Sequence, residues 1–226
     1  MAASSEAAAA VYARANEVLG YDLREVCFSG PAERLEQTDI QQPAIFTTSV
    51  AIWRALEEQG KLPAAAAMAG LSLGEYTALY AAGSLTFEDG LRLVRRRGEL
   101  MQASARAVAS GMVSAIGLDG AAVDKICEEA GKAGIITAAN YNCPGQIVLS
   151  GTKGAVEAAA VLIERAGGRA VVLKVAGAFH SPLMQPAAEG LAEVLAETAI
   201  GRPRVPVSSN VHARPHGEAE AIRRDL

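Results

Sequence analysis

Gly70-Leu71-Ser72-Leu73-Gly74-Glu75-Tyr76 lies between an apolar run at 64–69 and the stretch 77–82, TALYAA, which reads as helix. The spacing predicts a strand over 64–69, a sharp turn at the serine, and a helix over about 73–82. A serine between two glycines at a strand-to-helix turn is the nucleophile-elbow arrangement. Small neighbours let the backbone reverse, and the hydroxyl is left exposed at a helix N-terminus, where unpaired amides can stabilise an oxyanion. The same five residues also occur in ordinary tight turns. The flanking strand and helix are what make Ser72 a catalytic candidate.

Upstream of the elbow, residues 5–19 read as helix, with Val11, Ala15 and Val18 sharing an apolar side and Arg14 facing solvent. Residues 21–26 with Phe28 form a short ordered segment, and Ser29-Gly30-Pro31 starts a turn. A long helix is expected over about 43–59, burying Ile45, Val50, Ile52, Trp53 and Leu56 and ending at Gly60-Lys61-Leu62-Pro63. Downstream, Thr86 with Asp89 three positions on reads as a helix cap, and that helix continues through Gly98 to about 105.

The rhythm then changes. Strands at 111–117, 134–140, 145–150 and 170–175 alternate with helices at 121–130 and 153–166. That β-α-β-β-α-β order is the split βαβ motif of a ferredoxin-like unit. A helix over 187–197 and a strand over 205–209 return to the main sheet. The expected fold is therefore α/β: a hydrolase-like parallel-sheet domain, 1–105 with 176–226, carrying the elbow, and a smaller ferredoxin-like α+β subdomain, 106–175.

At 226 residues the chain can bury a substantial core, and its 4% aromatic content makes that core mainly aliphatic. A formal charge of −4 without any strongly basic tract argues against nucleic-acid binding. Cys27, Cys127 and Cys143 are odd in number and widely spaced, which fits a reducing compartment rather than a disulfide framework. His180, His212 and His216 lack zinc-site spacing, so no metal is expected. No run reaches membrane-spanning length, and the alanine-rich start contains Glu6 and reads as helix rather than signal peptide. The cytoplasm is the default location.

A serine needs a base to act as nucleophile at neutral pH. His180 is the leading candidate, in Gly177-Ala178-Phe179-His180-Ser181-Pro182-Leu183-Met184, directly after a predicted strand. His212 and His216 sit in a polar segment and read as surface loop residues. No aspartate occurs between 125 and 179, and Glu157 and Glu164 belong to an amphipathic helix surface, so a Ser–His dyad fits better than a triad. Arg95-Arg96-Arg97 point in three directions from a helix, so at most one or two enter any one cleft. A guanidinium near Ser72 can hold a substrate carboxylate in a bidentate pair.

These segments resemble the malonyl-CoA:acyl-carrier-protein transacylases and the related acyltransferase domains of polyketide and fatty-acid synthases. The matches run in order: Gln42-Pro43-Ala44, the Ser72 elbow, Arg97-Gly98 with Met101-Gln102, Asn140-Tyr141-Asn142-Cys143-Pro144-Gly145-Gln146, the His180 segment, and Val207-Ser208-Ser209-Asn210-Val211. The resemblance implies that Ser72 takes the acyl group, His180 activates it and Arg97 pairs with the malonyl carboxylate. It further implies that the Leu73 amide belongs to the oxyanion hole, that Gln42 lines the site, and that Phe179 disfavours α-branched acyl groups. Asn140, Asn142 and Asn210 would support the pocket. The inserted ferredoxin-like subdomain is also a property of the family.

Against the family pattern, no Pro-Gly-Gln-Gly-type loop precedes the first helix, and Leu226 falls before a further segment whose glutamine helps orient the histidine. The expectation is a chain shortened at both ends. The implied reaction moves malonyl from malonyl-CoA to the phosphopantetheine thiol of acyl carrier protein, with no permanently bound cofactor, no nucleic acid, no membrane and a monomeric enzyme. The alternatives are a serine thioesterase or esterase of related architecture, and an inactive carrier-binding remnant.

Overall fold

The computed structural model describes residues 5–226, so the reading of the first four residues as helix lies outside the described range. The chain divides into two compact units, one taking in residues up to Glu99 together with Gly190–Leu226, the other Leu100–Glu189.

In the first unit, helix α1 (Glu6–Leu19) starts where the Ser5 hydroxyl accepts the Ala8 amide at 3.1 Å, and it stops at Gly20, whose φ of 77° only glycine adopts without strain. It buries Ala8, Val11, Tyr12, Ala15 and Leu19 along one side, while Arg14 is exposed. The segment after it is a helix rather than merely ordered. α2 (Leu23–Ser29) is capped by Asp22, which accepts the Glu25 amide at 2.9 Å. A single turn, α3 (Ala32–Leu35), leads into α4 (Thr38–Glu58), which begins five residues before the expected start with Pro43 inside it. Pro43 forfeits one intrahelical bond, but the turn ahead of it is already closed by the Ile40 and Gln41 amides on the Gln37 carbonyl, at 3.0 and 2.7 Å.

The buried stripe of α4 also differs from expectation. Ile45 and Ile52 are exposed, whereas Gln42, Phe46, Thr47, Val50, Ala51 and Ala55 are buried. Hydropathy alone cannot select a stripe that includes Gln42 and Thr47; Gln42 is held inside by the Arg97 guanidinium, which donates to its Oε1 at 2.8 Å. Helix α5 (Leu73–Ala81) follows the elbow, and α6 (Phe87–Ala107) opens as expected, with the Thr86 hydroxyl accepting the Asp89 amide at 3.1 Å and donating to its carboxylate at 2.7 Å. Phe87 stacks on Phe46 with ring centroids 5.9 Å apart. At Gly98 a side chain would stand 2.6 Å from the Thr38 carbonyl oxygen, so α6 lies directly on the first turn of α4.

The expected strand at 64–69 is a correction. It is an extended segment with one parallel bridge, Met68 to Val207, made by Met68 N–H to Pro206 O at 2.8 Å and Ser208 N–H to Met68 O at 3.0 Å. Its partner contains Pro203 and Pro206, which have no amide hydrogen to donate to a ladder. Ala64, Ala66, Ala67 and Ala69 are exposed, so the run has no buried face to fix a register. The expected strand at 205–209 is likewise reduced to bridges at Val207 and Ser208, the latter to Pro215.

The second unit carries β1 (Ser110–Ile116), α7 (Gly120–Ala130), β2 (Ile136–Cys143), β3 (Gln146–Thr152), α8 (Lys153–Arg165) and β4 (Arg169–Val172). The strand order is β2–β3–β1–β4, every neighbouring pair antiparallel, with Val113 opposite Leu149 and Val172. β2 runs three residues beyond its expected end because the hairpin turn is only Pro144-Gly145, with Gly145 at φ 79°. Val113, Ala115, Ile147 and Leu149 form a core with Val123 and Ile126 of α7 and Val156, Ala159 and Ile163 of α8. Each valine, leucine or isoleucine among them contributes about 1.5–3 kcal/mol on burial.

Helix α9 (Gln185–Glu197) crosses the boundary between the units, and its last residues belong to the first. There α10 (Ala219–Asp225) is tied down by Arg223, which donates to the carbonyls of Leu195 at 3.2 Å and Thr198 at 3.1 Å. Among the described residues no helix is long and apolar enough to cross a membrane.

Replacing Gly98 by alanine meets backbone rather than a flexible side chain, so it should cost about 1–3 kcal/mol. Urea denaturation reads this as a lower midpoint at an unchanged slope; an unchanged midpoint would mean that α6 can shift off α4 freely.

Candidate active site

Ser72 stands at φ 51°, ψ −108°, immediately ahead of α5. A side-chain-bearing residue with that φ is strained, and such strain gathers at functional sites. Gly70 is what permits the turn, because a side chain there would collide with the Gly74 backbone; Gly74 itself has open space around it. The Gly74 amide closes on the Leu71 carbonyl at 2.8 Å and the Glu75 amide on the Ser72 carbonyl at 3.1 Å. Leu73 is the first helical residue, so its amide has no acceptor within its own helix, the condition an oxyanion donor needs.

Asn210 locks the elbow. Its Oδ1 accepts the Ser72 amide at 3.0 Å, and its Nδ2 donates to the Gly70 carbonyl at 2.8 Å and to Glu75 Oε2 at 2.5 Å. Expected only as pocket support, Asn210 spans the turn on both sides of the serine. Glu75 in turn accepts from His216 Nε2 at 2.6 Å. Here a second expectation is corrected. His212 is exposed, but the His216 imidazole is wholly buried beneath its loop, because Glu75 supplies a partner there.

Arg97 is the arginine that turns to the serine. Its Nη2 donates to Ser72 Oγ at 2.9 Å and its Nη1 to Gln42 Oε1 at 2.8 Å, while its guanidinium carbon stands 5.7 Å from the Tyr76 ring centre. Burial pushes the Tyr76 hydroxyl up to about 12, against the pull of the Arg97 charge, so the ring meets the cation as a neutral π face. Arg95 is engaged by Glu99 at 2.9 Å and the Leu19 carbonyl at 3.0 Å, and Arg96 by Glu99 at 3.3 Å. Helical geometry thus divides the triple arginine, leaving one guanidinium facing two neutral oxygens beside the candidate nucleophile. A carboxylate arriving there would replace contacts to neutral oxygens with a bidentate ion pair, charged on both sides.

In the second unit, His180 adopts φ 58° in an exposed turn. Around it, the Ala178 amide donates to Ser110 Oγ at 3.2 Å and the Ser181 hydroxyl donates to the Ala178 carbonyl at 2.6 Å. Gly177 lies against α6, where a side chain would stand 2.6 Å from the Ala105 Cβ. Phe179 packs on Met101, Met184 and Ala187. Asn140 and Asn142 lie on β2, half-buried and exposed respectively, the latter in the part of the strand beyond its expected end. Glu164 accepts the Ala170 amide at 2.7 Å, a structural use. Ser72, Leu73, Gln42, Arg97 and Asn210 therefore gather in the first unit, and Phe179, His180, Asn140 and Asn142 belong to the second. Glu75 and His216 were not singled out from sequence; the signal available for Glu75 was its place three residues after the serine, one helical turn on.

Residues 1–224 match the family model described as the acyl transferase domain. The chain belongs to that family. A malonyl CoA-acyl carrier protein transacylase of Salmonella typhimurium is 44% identical over 225 residues, which are 99% of this chain and 72% of the relative. One from Bacillus subtilis is 43% identical, over 97% of this chain and 69% of the relative. A solved complex of a type II PKS acyl-carrier protein with its malonyl-transacylase superposes with a TM-score of 0.95 at 42% identity, covering 99% of this chain and 72% of the other. The α/β architecture of this acyltransferase is thus that of solved relatives.

The Asn210 geometry generates a test. Replacing it by alanine removes three hydrogen bonds and should destabilise the chain by about 2 kcal/mol. The isosteric aspartate should cost more at pH 7, about 3 kcal/mol, because it sets a carboxylate against the Gly70 carbonyl and the buried Glu75. Equal losses in chemical denaturation would mean that Nδ2 does not face those two oxygens.

Proposed function

We propose that the chain transfers a malonyl group from malonyl-CoA to the phosphopantetheine thiol of acyl carrier protein, in fatty-acid or polyketide synthesis. The observation that carries this reading is the Arg97 guanidinium, shared between Ser72 Oγ and Gln42 Oε1. A fixed cation touching the nucleophile suits an acyl group that ends in a carboxylate. The relatives, whose names specify malonyl transfer to acyl carrier protein, support the same substrate.

In this mechanism His180 takes the Ser72 proton as Oγ attacks the thioester carbonyl. The carbon–sulfur bond breaks, CoA leaves as the thiol with the proton returned by His180, and malonyl remains as an ester on Ser72. The carrier's thiol then gives its proton to His180 and attacks that ester. Ser72 Oγ leaves and recovers the proton, so the enzyme is regenerated. The Leu73 amide stabilises the oxyanion in both halves. Arg97 holds the malonyl carboxylate, and Phe179 excludes an α-branch by its bulk. Gln42 steadies Arg97, while Asn140, Asn142 and Asn210 support the pocket. No step needs a resident metal or redox group.

We read the first unit as a hydrolase-like α/β domain and the β2–β3–β1–β4 sheet with its two helices as a ferredoxin-like subdomain, with boundaries near 106 and 175. Strand order and antiparallel pairing support the latter. A cytoplasmic monomer acting on soluble carrier is the simplest setting. Water as acceptor, the thioesterase alternative, has less behind it, since Arg97 and the carrier-directed relatives both favour transfer.

Two measurements test this. Intact-mass analysis after malonyl-CoA should show a malonyl adduct that Ser72→Ala abolishes and that holo-carrier discharges onto itself; discharge to water at the same rate without carrier would favour the hydrolase. Arg97→Ala should lower the preference for malonyl over acetyl thioesters by roughly 10- to 100-fold, the worth of one charge-assisted contact. Unchanged selectivity would remove Arg97 from the carboxylate site.

A further inference from the structure

Behind the elbow, within the first unit, lies a set of ionisable side chains that the transfer mechanism does not use. His216 Nε2 stands 2.6 Å from Glu75 Oε1, with 0% and 5% of the two side chains exposed. On the other side of the imidazole, Nδ1 faces Asp225 Oδ2 at 3.5 Å without a hydrogen bond between them. Asp225 is itself 7% exposed, with His212 at 3.4 Å and Arg224 at 3.8 Å on its outer face. With its proton on Nε2 the imidazole donates to the Glu75 carboxylate oxygen.

The local backbone explains how a histidine in a polar segment comes to be enclosed. The Ser209 amide donates to the Arg214 carbonyl, the His216 amide to the Val207 carbonyl, both at 2.8 Å, and Ala213 turns the chain at φ 52°. This closed loop delivers two of its members to one carboxylate. Glu75 Oε1 accepts from His216 and from the Asn210 amide at 3.2 Å, and Oε2 accepts from the Asn210 side chain. Asn210 passes the arrangement on to the Ser72 amide and the Gly70 carbonyl. A nearly buried carboxylate deprived of one donor reorients toward whatever donors remain. Here that motion would pull on the same side-chain amide that fixes the serine's backbone.

We propose that His216 is a positioning residue for the nucleophile elbow, acting through Glu75 and Asn210 on the Ser72 backbone, with Asp225 flanking its far side. His216 touches neither Ser72 nor any substrate group. Its role is to keep Glu75 turned so that Asn210 holds the strained serine with its hydroxyl presented. Only the kinetic part of this inference rests on the malonyl-transfer reading; the effect on the elbow backbone does not.

The experiment compares the full chain with His216→Ala and His216→Gln, whose amide can still donate to Glu75. Hydrogen–deuterium exchange is read at the elbow amides and at α7 and α8 as a remote control. In His216→Ala, elbow exchange should quicken by roughly 10-fold or more while α7 and α8 stay unchanged, and His216→Gln should recover most of the protection. The rate of malonyl-adduct formation should fall by about 10- to 100-fold in His216→Ala with KM for malonyl-CoA within about threefold, because Arg97 is untouched. Unchanged elbow exchange overturns the proposal, as does a loss spread evenly over both regions that glutamine fails to rescue. Should the alanine variant not fold, His216→Leu fills the volume without a donor and is read by the same outcomes. A wild-type chain that forms no adduct would overturn the transfer reading alone, since the exchange comparison still decides the role of His216.

Discussion

A serine at φ 51°, ψ −108° costs about 1–3 kcal/mol in backbone strain, and much of the first unit can be understood as an answer to that cost. Three hydrogen bonds from the Asn210 side chain, each worth about 0.5–1.5 kcal/mol net, are of the same size. The strain is thus met close to where it arises, by one side chain that bonds to the backbone before and at the serine. Gly70 removes the collision that any side chain would cause there, and α5 starts at once, so the turn has no room to relax. The closed loop between Val207 and His216 exists on this view to bring Asn210 to its place.

The electrostatics of the elbow are asymmetric. On its inner side Glu75 is surrounded by donors, from His216 and twice from Asn210, and its capacity as an acceptor is largely used. On its outer side Arg97 faces neutral oxygens of Gln42 and Ser72 and the neutral ring of Tyr76. A carboxylate about 4 Å from such a cation gains about 4 kcal/mol at the effective dielectric of a protein surface. The fields on the two sides therefore differ: the buried acid organises backbone, and on the proposed reading the arginine receives the malonyl carboxylate.

What could be read from the sequence follows the range of the interactions involved. The Thr86 cap, the helix after Ser72 and the β-α-β-β-α-β order are set by residues within a few positions of one another, and they are found where expected. The extended segment at 64–69 looked like a strand because alanine and methionine are apolar, yet a strand is made by its partners, and its neighbour carries two prolines. The α4 stripe departs from hydropathy for a related reason: Gln42 is buried where Arg97, more than fifty residues on, donates to its carbonyl oxygen. His216 was the hardest case. Nothing in Arg214-Pro215-His216-Gly217-Glu218 signals burial, and the partner that encloses it, Glu75, lies 141 residues away.

These long separations also show how the site is organised. Its parts come from α4, the elbow, α6 and the loop before α10, and they fall into two groups. Gln42 and Arg97, set by the close contact of Gly98 with Thr38, reach the serine at Oγ. His216, Glu75 and Asn210 reach it at its amide. Both groups reach Ser72, one through the side chain and the other through the backbone. On the proposed reading, changes in the first alter what the serine is offered, and changes in the second alter how well it is aimed. On that reading, selectivity for the acyl group and reactivity of the nucleophile are separable properties of one residue's surroundings, because the arginine side engages the Ser72 hydroxyl and the asparagine side its amide.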